Sequence, residues 1–172
     1  MTVAVDRQAI YDELERVRAT YRKLLTEMST EDLRRPTNGT KWTNKQLLFH
    51  MLLGYWLIRA LLPLLRFFTA LPPGASKAFA ATLNAVTRPF NWVNYVVAVP
   101  PAAVLSPSTL VTRMDNVTSS LAKSLSRRSD ADLAKGMYFP DRWDPFFKKF
   151  MTRADLYHFP TQHFDFHSRQ LS

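Results

Sequence analysis

Between Leu47 and Phe68 the chain is almost continuous in leucine, other aliphatic and aromatic side chains, and a run of that length has two homes. It crosses a bilayer as a helix, or it forms the buried helix of a larger helical assembly. The run also carries His50, Arg59, Pro63 and Arg66. A charge near mid-span is unfavourable in hydrocarbon, so the run reads as a core helix and not as a membrane span. Thr43 followed by Gln46 is a capping box that starts this helix, and Pro63 should kink it or end it. Gln46, His50, Gly54, Leu57 and Leu61 fall on one side of it. Glycine weakens a helix, so Gly54, one turn from His50, marks either close helix packing or space left for a ligand.

Three further segments have the same period. From Asp6 to about Met28, Ile10, Leu14, Val17, Tyr21, Leu24 and Met28 recur at three- and four-residue spacing, with charged residues over most of the remaining surface. Ser29 to Leu33 reads as a short capped turn, ended by Pro36 and the Asn38-Gly39 pair. Ser106 and Pro107 open another long helix as N-cap and first position, striped by Leu110, Met114, Val117, Leu121 and Leu125. The last helix runs from about Thr152 to Leu171 with Pro160 inside it, where a kink is expected. Between the second and third long helices, Leu71 to Pro107 lacks clean periodicity, apart from a short helix over Ser76 to Thr87. We read it as a long crossover covering one end of the bundle, with Phe90, Trp92 and Tyr95 as candidate pocket aromatics. Gly136 to Phe147 reads as an aromatic loop.

With 172 residues and 47% hydrophobic side chains, the chain fits one domain, residues 1–172, with enough core to fold unstapled. There is no cysteine, which excludes disulfides, thiolate metal sites, iron–sulfur clusters and a cysteine nucleophile. Only four glycines are present, and no phosphate-cradling glycine motif occurs. The net charge is +9, but the cations are scattered. No helix shows a basic face interleaved with aromatics, so nucleic acid is not an expected partner. Met1 to Asp6 lacks the basic-then-apolar layout of a signal peptide. A cytoplasmic protein with no membrane partner is expected.

The chain has four histidines. His163 and His167 are one helical turn apart, about 40° around the axis, while His158 points roughly 140° from His163. Two such histidines on one face suit a divalent metal, although two surface histidines would read the same way. His50 lies in an otherwise apolar run, where an unpartnered imidazole is unfavourable to bury. The candidates are therefore His50, His163 and His167. Three neutral imidazoles leave a coordination position open, as in catalytic sites. Gln46, Asp155 and Asp165 are candidates to orient the rings.

Trp42-Thr43 opening a helix, His50 seven residues on, and His163-x-x-x-His167 followed by Arg169-Gln170-Leu171 together resemble the DinB-like superfamily over nearly the whole chain. The resemblance implies an all-α, up-down-down-up four-helix bundle, with a divalent metal held by His50, His163 and His167. Similar members include thiol-dependent S-transferases and metal-dependent hydrolases. The expected activity is a small-molecule, thiol-dependent S-transfer. The alternatives are a metal-dependent hydrolase and a non-catalytic binder of metal or a hydrophobic ligand. The expected cofactor is a divalent metal, zinc or nickel, with a low-molecular-weight thiol as cosubstrate because the chain supplies none. A small-molecule substrate is the expected partner, and a homodimer is compatible with this reading.

Overall fold

The computed structural model describes residues 5–172, so most of the N-terminal stretch read above for a leader lies outside the described residues. The chain is mostly helical. Its four long helices are α1 (Arg7–Glu27), α3 (Asn44–Phe68), α7 (Pro107–Ser126) and α9 (Arg153–Ser168). Shorter helices join them: α2 (Thr30–Arg34) before α3, α4 (Pro73–Ala85), α5 (Thr87–Val97) and α6 (Val99–Val104) between α3 and α7, and α8 (Asp130–Leu133) after α7. Helices α1 and α3 each pack against both α7 and α9.

Local chemistry explains the helix starts. Asp6 caps α1 by accepting from the Ala9 N–H. Ser29, Thr43 and Thr152 each head a reciprocal capping box, with Asp32, Gln46 and Asp155 respectively. Such a box satisfies two backbone donors that would otherwise be orphaned at a helix start. Ser106 caps α7, with Pro107 in its first turn, where a missing N–H costs nothing.

The predicted stripes form the core. Ile10, Leu14, Val17 and Tyr21 of α1 are buried, as are all five stripe residues of α7. Helix α3 is long and apolar enough to cross a membrane by composition alone, yet 56% of its most apolar window is buried inside the fold. It is apolar nearly all round because two long helices and the crossover cover it. Pro63 does not end α3, which continues to Phe68.

Two segments differ from the sequence reading. The crossover is helical almost throughout. Its α5 buries no residue fully. The start of the aromatic loop is a strand: β1 (Gly136–Tyr138) pairs antiparallel with β2 (Phe150–Thr152), Met137 opposite Met151. Gly136 is required there, because a Cβ would lie 2.6 Å from the Met151 carbonyl oxygen. The hairpin projects residues 139–149 toward α4 and α5. Trp143 Nε1 donates to the Leu83 carbonyl at 2.8 Å, Asn84 bridges to Asp141 and the Arg142 N–H, and Phe90 stacks on Trp143.

Candidate metal centre

His50 sits two turns into α3, and His163 and His167 lie one turn apart near the end of α9. The packing of α3 on α9 brings the three rings together, with one ligating nitrogen of each within 4.8 Å of the others. His50 Nε2 and His163 Nε2 are 3.1 Å apart. All three rings are buried. His158 is elsewhere, bound through Nδ1 to Glu13 at 3.0 Å, so helical phase separates it from His163 and His167 on α9 as expected.

The surroundings set ring orientation. Trp42 stacks on His50 with centroids 4.4 Å apart. Its own Nε1 donates to the Tyr95 carbonyl, and the Tyr95 ring stacks behind it. Gln170 Oε1 accepts from His167 Nδ1 at 2.6 Å. That bond fixes the tautomer and leaves the Nε2 lone pair of His167 free. Gln170 is held in turn, because its carbonyl accepts from the Asn38 N–H. Gly54 is explained by His163: a Cβ at position 54 would lie 3.1 Å from His163 Nδ1. The glycine therefore leaves room for the His163 ring, so close packing and space at the cluster are the same feature.

The three expected orienting residues are engaged elsewhere. Gln46 closes the capping box of α3, Asp155 closes that of α9 and also binds Lys148, and Asp165 pairs with Arg16 through both carboxylate oxygens. Capping and surface pairing compete for the same polar groups, and here they win. Asp144 escaped the sequence reading. It reaches the site from the hairpin loop, with Oδ2 3.7 Å from His163 Nε2 and Oδ1 accepting from the Phe146 N–H at 2.8 Å. Burial pushes its carboxyl above the usual range. A carboxylate set between Trp143 and Pro145 in an aromatic loop was the available signal.

Beside the cluster opens a cavity of about 350 Å³, lined by His50, His163 and Asp144 and otherwise largely by apolar side chains. Phe90 is in its wall. Trp92 is 66% exposed and Tyr95 lies behind Trp42, so of the three crossover aromatics only Phe90 lines the cavity.

The donor set fits a divalent ion. Three buried imidazoles have their nitrogens facing one another, with no cation-bearing side chain lining the cavity beside them, which is the chemistry that zinc, nickel, iron and copper accept. A family model of the DinB superfamily matches residues 13–171. The chain belongs to the DinB superfamily. Comparison with curated proteins and with solved structures returned no match. Within the DinB match fall His50, His163, His167 and the ring-fixing Gln170.

Two outcomes follow for this DinB protein. Burial, reinforced by the neighbouring rings, lowers the His50 pKa from 6.5 to about 3 and lowers that of His163; burial also lowers that of His167, against the opposing hydrogen bond to Gln170. The unfolded chain therefore binds more protons than the folded one below pH ~6.5. Metal-free protein in a chelator should lose stability as pH falls from neutral toward 4, by up to about 1.4 kcal/mol per pH unit for each buried imidazole. Denaturant titrations across that range measure it, and His50→Gln should flatten the slope. Gly54→Ala should weaken metal affinity roughly tenfold by displacing the His163 ring, a loss comparable to that from disturbing an orienting partner. The helix itself should be no less stable, and calorimetric metal titration beside a melting curve separates the two effects.

Proposed function

We propose that this protein is a divalent-metal-dependent enzyme that transfers the sulfur of a small thiol to an apolar electrophile. The reading is carried by one observation: three buried imidazoles have their nitrogens facing one another, and two of them, His50 and His163, line an apolar cavity that also holds one carboxylate. His50, His163 and His167 are the proposed ligands, of zinc or nickel, in an up-down-down-up bundle of α1, α3, α7 and α9. The expected setting is the cytoplasm, with a small-molecule substrate, no nucleic acid or membrane, and homodimerisation left compatible.

His50, His163 and His167 would hold the divalent ion, which would supply Lewis-acid chemistry able to lower the pKa of a thiol or water. The rest falls to side chains. Gln170 holds His167 in the tautomer that presents Nε2, and Trp42 fixes the plane of His50. Asp144 is held at Oδ1 by the Phe146 N–H, which leaves Oδ2 on the cavity side as proton acceptor. A carboxyl raised by burial is a stronger base than an exposed one. The thiol gives its proton to Asp144, its sulfur electron pair forms the bond to the electrophilic carbon, and the leaving group departs with its bonding pair. The proton then passes from Asp144 to a basic leaving group, or to solvent where the leaving group is a halide. Leu53, Leu57, Phe90, Val97, Phe147 and Phe159 seat the electrophile and exclude water.

Hydrolysis is the second reading, favoured by the absence of lysine and arginine from the cavity lining. A charged thiol finds no counter-ion there, whereas water or an uncharged thiol needs none.

Assays of metal-loaded protein with several small thiols and a chloronitrobenzene, and separately with apolar esters, test the reading. Thiol-dependent turnover should disappear in His163→Ala while helical circular dichroism persists. It should fall roughly 10²-fold or more in Asp144→Asn, the usual scale for losing a positioned proton acceptor. Ester cleavage without thiol would select hydrolysis. Rates equal to those without protein, for every substrate, would leave a non-catalytic binder.

A further inference from the structure

The far ends of the long helices hold a second group of polar side chains that the metal centre does not use. Arg66 lies near the end of α3, Arg128 just beyond α7, Lys135 after α8, and Arg153 opens α9. With Thr69 and Asp132 they line a cleft of about 440 Å³. Arg66 is about 24 Å from His50 along the axis of α3 at 1.5 Å per residue, so this cleft and the metal cavity are separate.

The charges here do not balance. Asp132 is the single carboxylate in the cleft, and it pairs with Lys135 at 3.0 Å. Among the described residues, Arg66, Arg128 and Arg153 have no ion-pair partner. Arg153 is the strongest case. Its side chain is 3% exposed, and its Nε is buried with no hydrogen-bond partner. The Nε of Arg128 is also buried and unpartnered. Arg128 is half-buried and Arg66 exposed, and proteins rarely bury a guanidinium beside other cations without an anion, because the buried charge loses hydration and is repelled by its neighbours. Burial, Arg128 and Arg66 lower the Arg153 pKa, and the opposing effects of Asp132 and Tyr157 do not restore it, the direction expected where cations outnumber carboxylates.

We propose that this cleft binds the phosphate group of a small phosphorylated molecule. Once Lys135 and Asp132 cancel, three positive charges remain, which match a dianion better than a monocarboxylate. Guanidinium groups suit phosphate because their paired N–H donors meet two of its oxygens at once. The cleft is larger than phosphate alone requires. A second cleft of about 260 Å³ shares Arg66 and Arg128 and adds Arg59, Leu62 and Leu121. It offers the remainder of the molecule both an apolar wall and a further cation.

Calorimetric titration of the full chain with inorganic phosphate, at constant ionic strength set with sodium chloride, tests this. Saturable binding and a raised melting temperature are expected. The double variant Arg66→Gln, Arg128→Gln should lose at least tenfold in phosphate affinity. Without phosphate it should melt no lower than the parent, since like-charge repulsion has been relieved. Lys41→Gln, which removes an exposed cation elsewhere, should leave affinity unchanged. Phosphatidylcholine vesicles carrying phosphatidic acid identify the source of the group. Capture that free phosphate reverses indicates a lipid headgroup, and binding of free phosphate without capture indicates a soluble ester; both support the site. No saturable binding at millimolar phosphate, or equal losses in Lys41→Gln and the double variant, would overturn it.

Discussion

The structure depends on the seam between α3 and α9, where three imidazoles are buried against one another. Neutral rings tolerate that burial and protonated ones do not, so the seam commits the protein to a state in which the nitrogens offer lone pairs. Everything nearby maintains this. Gly54 gives up helix propensity to admit the His163 ring, Trp42 covers His50, and Gln170 holds the proton of His167 on the outer nitrogen.

Backbone fastening at the same end keeps the two helices in register. Asn44, fully buried in the first turn of α3, donates through Nδ2 to the Ser172 and Asp32 carbonyls and accepts from the Ser172 N–H. The chain after α9 is thereby tied to the start of α3. His50 and His167 are thus set by hydrogen bonds at fixed points, and not by side-chain packing alone. On the open side, the crossover and the hairpin loop hold each other through Trp143, Asn84 and Phe90. That union places Asp144 beside the cluster.

What was legible in the sequence was what local chemistry decides. The capping pairs at Thr43 and Ser106, the apolar stripes of α1 and α7, and the helical phase separating His158 from His163 and His167 all depend on residues within a turn or two of one another. The hairpin was not legible, since pairing Gly136–Tyr138 with Phe150–Thr152 requires closing a loop through aromatic, proline-bearing sequence. Asp144 was missed for the same reason. The choice of Asp155 and Asp165 as ring partners failed because a carboxylate near a histidine in sequence can be taken first by a cap or an arginine. Gln170 fulfils that role from the chain just after α9, where the helical phase no longer predicts direction.

The central claim is that the seam is a metal site and not a structural histidine cluster. Elemental analysis and X-ray absorption of protein purified without a polyhistidine tag address it directly. A metal site gives about one divalent transition metal per chain, with a nitrogen-dominated coordination shell at ~2.0–2.1 Å. A chain that stays folded, binds no divalent metal under saturating conditions, and retains the His50–His163 contact would contradict it.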